Sequence, residues 1–330
     1  MQFLFSEDQD ALIEGVRSFL DGAHGPEKLR ALDGTPGDGG VWDALVSLGL
    51  TGLLVPEDQG GLGSGLAAGT RIAVELGRAN VGQPIVDTAL IAAPWLMRKG
   101  ATDRLADIAG GGCRIALAHP INPWIADLDG ADYLLGDDGL IDAPETKALN
   151  TVDPLRSLFA PVDISGSDDL LDLAALMSAA QMLGATARML ELATDYAKDR
   201  EQFGQPIGKF QAIKHQLATV AVKLEFARPV LWRAAVALDE RQPRASMHVS
   251  HAKLAATDAA MLAAETAIQI HGAMGYTYEV DLHFWMKRAW ALAGAWGDRA
   301  WHFNRCDAAV IGGQIALGPD QTFESEFNNA

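Results

Sequence analysis

The chain has 330 residues, a hydrophobic fraction of 49%, and 43 acidic against 26 basic side chains, a formal net charge of −17. That length can bury a large core and suggests two or three domains, while the acidic balance argues against nucleic acid or an anionic membrane surface as a partner. Cys113 and Cys306 have neither metal nor redox spacing and fit a reduced, cytoplasmic protein.

The opening MQFLFSEDQDALIEG has no basic start and no long apolar run, so it does not read as a signal peptide. No apolar stretch approaches the ~20 residues of a bilayer span. Ser6 followed by Gln9 reads as a capping box opening a helix over 7–22, with Leu12, Val16, Phe19 and Leu20 at helical spacing. A Gly-rich loop from Gly34 to Gly40 follows. Further helices are expected over 41–50, 66–79 and 85–110, which makes residues 1–111 an N-terminal helical domain.

Residues 112–166 change character. CRIALAHP, DYLLGDDGLIDAP and RSLFAPVDIS are short apolar runs punctuated by Gly, Pro and Asp, and read as strands and turns of a small β-domain. From Asp168 the pattern is helical again. A long helix with acids in its first turn, which suits the helix dipole, precedes a turn at Gly204–Gly208. Helices over 209–239, 246–271 and 280–308 follow, with Pro229 expected to kink or divide the first of them. Long helices with many Ala at contact positions point to a four-helix bundle over 167–330. The fold class expected is mainly α.

Two segments carry the chemistry. Arg200-Glu-Gln-Phe203-Gly-Gln-Pro-Ile-Gly208-Lys-Phe-Gln211 leaves one helix and enters the next, so a helix N-terminus and an arginine stand ready for a phosphate. Gln269-Ile270-His-Gly272-Ala273-Met-Gly275-Tyr276 ends a helix, and its glycines allow a close backbone approach. By spacing alone, a plain helix–helix turn and a helix cap are the favoured readings. Competing signals are weaker. Gly61-Leu-Gly63-Ser-Gly65 lacks the βαβ context of a dinucleotide loop. His248 and His251 have no evident third metal ligand, and the Glu-x-x-His pairs of a di-iron bundle are missing. Trp285, Trp290, Trp296 and Trp301, near helical spacing, read as packing or interface residues.

The combination RxxFGxPIxxFQ with QIxGxxGY, preceded by LGLTGLLVPEDQGGLG (Leu48 to Gly63) and ELGRA (Glu75 to Ala79), resembles the acyl-CoA dehydrogenase family across both helical segments. The resemblance implies FAD as cofactor. Arg200, Phe203 and Gln211 would contact the FAD of a neighbouring subunit, and Gln269, Ile270, Gly272 and Ala273 would bind its ADP half. Ala273 stands where the family usually has a second glycine.

The chain departs from the family in three places. The family's middle β-domain is roughly double the length found here, and ALAHPINPWIADLDG (Ala116 to Gly130) replaces its flavin- and acyl-CoA-binding motif. The strand that flanks the isoalloxazine ring has no counterpart. The family's catalytic Glu, which takes the α-proton of the thioester, is also missing. Aligning Lys287-Arg288-Ala289 puts Trp296 in its place, and the alternative base position falls near Ala174, with only Asp169 and Asp172 close by.

The resemblance therefore extends to the shortened, non-catalytic subunit of bacterial heterotetrameric acyl-CoA dehydrogenases of the steroid side-chain type. The expected partners are a full-length acyl-CoA dehydrogenase-like subunit that binds most of the acyl-CoA and supplies the base, and an electron-transfer flavoprotein or similar acceptor. A strongly acidic chain sits poorly with an anionic CoA ester unless that site is local or lies on another subunit. A scaffold that binds no flavin and a self-sufficient flavoenzyme with an unrecognised base are the alternatives.

Overall fold

In the computed structural model, which describes residues 6–34, 40–82 and 84–315, the capping box forms as its sequence dictates. Ser6 Oγ accepts from Gln9 N and Gln9 Oε1 accepts from Ser6 N, which starts α1 (Glu7–Ala23). A short α2 (Pro26–Leu32), which was not anticipated, begins with proline at its first turn, where no N–H is needed. Most of the Gly34–Gly40 loop lies outside the described residues. Then come α3 (Val41–Ser47) and α4 (Leu66–Arg78).

The helix expected over 85–110 is three pieces. A π-helical segment, Val86–Ala92, runs into α5 (Ala93–Lys99), which Gly100 ends in the left-handed region, and α6 (Leu105–Ala109) follows. The glycines of 61–65 close a loop on itself. Leu62 N, Gly63 N and Ser64 N donate to the carbonyls of Gly52, Val55 and Leu53, and a Cβ at Gly61 would lie 2.0 Å from Val55 O. They serve packing, and helices rather than strands flank them.

The central region holds two three-stranded sheets. In one, β1 (Ile115–Leu117) pairs parallel with β3 (Tyr133–Gly136), which forms an antiparallel hairpin with β4 (Gly139–Asp142). In the other, β6 (Leu158–Phe159) lies between β2 (Ile125–Ala126) and β5 (Ala148–Leu149). Ala116, Ala118, Ile125, Leu128 and Leu134 form a small separate core between them. Ile141, Leu149 and Val152 stay exposed, so these sheets cover little of their own outer surface.

The bundle is built on α7 (Asp168–Asp199), with Asp168 and Asp169 in its first turn. By length and composition α7 could cross a membrane, contrary to expectation, but 94% of its apolar window is buried inside the protein. A helix apolar on all sides needs cover on all sides, and α4, α8 (Gln211–Asp239), α9 (Ala245–His271) and α10 (Leu282–Gly294) supply it. Gly77 and Gly184 let α4 and α7 touch backbone to backbone: a Cβ at Gly184 would lie 1.9 Å from Val74 O, and one at Gly77 2.2 Å from Gln181 O.

Two expectations for the bundle need correction. Pro229 does not divide α8, which runs as one helix from Gln211 to Asp239 at the loss of one helical hydrogen bond. The last helix, expected as one over 280–308, is two. It breaks between α10 and α11 (Arg299–Ile311) where Trp296 (φ 59°) and Gly297 (φ 86°) turn left-handed, and Asp298 then caps α11 through Trp301 N.

Candidate functional site

The two flavin-like segments meet at one end of the bundle. Arg200 caps the C-terminus of α7, and a hairpin of β7 (Glu201–Gln202) and β8 (Gln205–Pro206) leads to α8. Phe203 (φ 53°) and Gly204 (φ 78°) occupy its two-residue turn, and positive φ at both positions is what a type I′ turn needs. The turn holds Phe203 out at 92% exposure, edge-on to Phe210. At Gly208 a Cβ would come within 2.9 Å of Ala197 O. No side chain caps the N-terminus of α8, which leaves its first N–H groups open beside Gln211.

The second segment ends α9. Gln269 is exposed and Ile270 buried, while Gly272 (φ 59°, ψ −134°) adopts a conformation that suits glycine alone and turns the backbone outward with Ala273. His271 stacks on Tyr196 of α7 with ring centroids 4.3 Å apart, which joins the two segments. Arg200, Phe203, Gln211, Gln269, Gly272 and Ala273 thus form an open surface rather than a cavity, with Tyr276 and Tyr278 exposed beside them.

A separate cavity of about 330 Å³ opens between the central sheets, α7 and α10. Its walls include Trp124, Trp290 and Trp296, with Ser178 and Gln181 projecting from α7. Trp290 and Trp296 therefore line a cavity instead of merely packing. Trp285, in contrast, is core and donates to Arg78 O at 2.8 Å.

Two carboxylates line the cavity, and both are taken up by arginines. Arg156 Nη2 donates to Asp87 Oδ2 at 2.6 Å and its Nε to Asp127 Oδ2 at 2.5 Å. Burial opposes the Arg156 charge, but Asp127 and Asp87 outweigh it and raise its pKa above the ordinary guanidinium value. Burial pushes Asp127 up to about 6, against the pull of Arg156. Arg288 pairs through Nε with Asp153, both essentially inaccessible, and donates from Nη1 to Val81 O at 2.9 Å. The carboxylates near Ala174 are elsewhere: Asp172 binds Arg305 and Ser246, and Asp169 approaches Lys99.

The turn that carries Trp296 is pinned on every side. Trp296 N donates to Asn122 Oδ1 at 2.8 Å. Lys253 Nζ donates to Leu292 O and Ala295 O at 2.6 and 2.7 Å, with no carboxylate beside it among the described residues, and burial pushes its pKa down to about 7. His302 Nε2 lies 2.9 Å from Trp296 O and so carries the proton, which leaves Nδ1 to accept from Ser250 Oγ. Burial, then Lys253, pushes the His302 pKa down to about 4, so the ring is neutral. Lys253, His302 and Asn122 were not anticipated from sequence. The one available signal was a lone lysine in an Ala-rich helix.

Residues 6–105 match the family profile described as acyl-CoA dehydrogenase, N-terminal domain, and residues 168–310 the one described as acyl-CoA dehydrogenase, C-terminal domain. The chain is 33% identical over 318 residues to acyl-CoA dehydrogenase IpdE2 of Mycolicibacterium smegmatis, covering 93% of this chain and 100% of that one. The chain belongs to the acyl-CoA dehydrogenase family. Its fold is that of the family's solved structures as well. The ChsE4–ChsE5 complex from Mycobacterium tuberculosis and the Tcur3481–Tcur3483 steroid acyl-CoA dehydrogenase both superpose with a TM-score of 0.81 at 24% identity, each over 94% of this chain and 99% of the other. Acyl-CoA dehydrogenases are FAD-binding flavoproteins. In this acyl-CoA dehydrogenase chain the open surface at the bundle end offers an uncapped helix N-terminus, an exposed Arg200, and a glycine at 272 with open space around it among the described residues.

Proposed function

We propose that this chain is the non-catalytic subunit of a hetero-oligomeric, FAD-dependent acyl-CoA dehydrogenase that introduces an α,β-double bond into an acyl-CoA thioester. The observation that carries the reading is the state of the cavity. Trp296, which the motif alignment sets at the family's base position, lines it, and both lining carboxylates, Asp87 and Asp153, are bound by arginines. Proton abstraction needs a carboxylate with a free lone pair within about 3 Å of the α-carbon proton. Indole has no such lone pair, since its only polar group is an N–H donor.

Bound FAD supplies the hydride acceptor. The part of this chain is to hold the ADP half of a cofactor whose ring lies on the partner. Arg200 offers a charge-assisted bond to the diphosphate, α8 its open N–H groups, and Gln211 and Gln269 their amides. Gly272 and Ala273 let the ligand approach the backbone. A full-length partner supplies the acyl-CoA pocket and the catalytic Glu, and an electron-transfer flavoprotein or similar acceptor reoxidises the flavin. The similarity to a two-chain steroid acyl-CoA dehydrogenase supports a heterotetramer and a steroid-derived substrate. The unpaired Cys113 and Cys306 suit the cytoplasm.

Expressed alone, the chain should be colourless, and co-expressed with an adjacently encoded full-length homologue it should give a yellow complex that reduces a dye with acyl-CoA. In that complex Trp296→Phe should leave turnover largely intact, and the partner's Glu→Gln should abolish it with FAD still bound. A yellow, active homo-oligomer of this chain would overturn the reading.

A further inference from the structure

About 22 residues along α8 from Gln211, roughly 30 Å at 1.5 Å per residue, a second cleft lies between α8 and α9. Its volume is about 220 Å³, and it is lined by Pro229, Val230, Arg233, His248 and His251. Its distance from the flavin-like surface makes it a separate feature.

Its chemistry is unusual for this molecule. The chain carries a net charge of −17, and several of its buried arginines hold carboxylates: Arg78 with Glu191, Arg156 with Asp127, Arg288 with Asp153 and Arg305 with Asp172. Arg233, half-buried in the cleft, has neither a hydrogen bond nor an ion pair among the described residues. His248 is 6% exposed, and its Nδ1 is buried with no hydrogen-bond partner. Leaving a buried polar nitrogen unsatisfied costs on the order of 1–3 kcal/mol, and a half-buried guanidinium with no carboxylate beside it is open to an anion.

The charge decides what the cleft can hold. Burial and then Arg233 push both imidazoles down, His248 to about 4, and among the lining residues Arg233 carries the fixed positive charge. Two histidines spaced i, i+3 would suit a metal ion, but the guanidinium repels a cation. Among the described residues no group of three metal-ligating side chains exists here or elsewhere. An anion suits this lining: it pairs with the guanidinium and accepts from an imidazole N–H.

We propose that the cleft formed by Arg233, His248 and His251 binds a small phosphate-type oxyanion, free or as a low-molecular-weight monoester. The planar guanidinium fork matches two oxygens of such a group, and the volume leaves room for a short substituent beside Pro229 and Val230.

The test is calorimetric titration of inorganic phosphate into the full-length chain, in the assembly in which it purifies, at fixed ionic strength. Phosphate should bind, Arg233→Met should weaken it at least tenfold, Arg233→Lys should weaken it less, and His251→Gln should fall between wild type and Arg233→Met. Glycerol 3-phosphate, run in parallel, separates a monoester site from a free-anion site, and binding of either supports the proposal. Acetate should bind at least tenfold more weakly than phosphate. Failure of both phosphates to bind, equal binding by acetate, or undiminished binding to Arg233→Met would overturn it.

Discussion

Replacing Arg288 by methionine tests how the cavity wall is held. Arg288 joins three parts of the chain: it sits on α10, pairs with Asp153 of the central region, and donates to Val81 O just beyond α4. Both charged groups are almost wholly inaccessible, at 1% and 2% side-chain exposure. Methionine keeps much of the length of the side chain but strips Asp153 of its counter-charge, leaving only the Leu155 N–H donating to Oδ1 at 3.1 Å. Breaking a buried pair from one side typically costs about 3–5 kcal/mol, because the surviving charge is left in a low-dielectric site. The double variant Arg288→Met/Asp153→Asn removes both charges and keeps an oxygen for Leu155 N. It should recover roughly 2 kcal/mol or more of the loss, with Val81 O still unpaired. Urea unfolding followed by far-UV circular dichroism measures both variants against wild type. A single-variant loss below about 1 kcal/mol, or a double variant no more stable than the single, would refute the view that this pair is a buried charge held only by its partner.

Gly184→Ala should destabilise the bundle by about 1–3 kcal/mol or more, since its Cβ would meet the α4 backbone at 1.9 Å; thermal unfolding reports it, and a neutral change would mean the helices separate freely. Lys253 is proton-poor in the folded state, with its pKa pushed from 10.5 to about 7, so between those values the unfolded chain binds more protons and stability rises with pH. At about 1.4 kcal/mol per pH unit, Lys253→Met should visibly flatten the stability profile over pH 7–10, and identical profiles would show that the amine is not depressed. Arg200→Ala should weaken FAD binding to the assembled apo-complex by roughly 1.5–3 kcal/mol, with Gln269→Ala costing less; unchanged affinity in both would remove the cofactor role.

What the sequence determined by itself is mostly local. The Ser6–Gln9 capping box, the acids opening α7 and the alternation of Gly with apolar runs over 112–166 act through neighbouring residues, so their outcomes could be read in order along the chain. The flavin-like segments were equally legible, because a helix end, a tight turn and a helix start are encoded within a dozen residues.

Tertiary structure decided the rest. That α7 is a core helix depends on four other helices surrounding it, which its composition cannot say. The last helix breaks at Trp296, where Asn122 and Lys253 from distant parts of the chain and His302 from the next helix hold the turn's backbone groups. The occupation of Asp87 and Asp153 by arginines likewise joins residues 69 and 135 positions apart. Such partners are chosen by burial: a charge or a carbonyl removed from water must find whichever complementary group the fold brings within about 3 Å, and that proximity is a property of the folded chain alone.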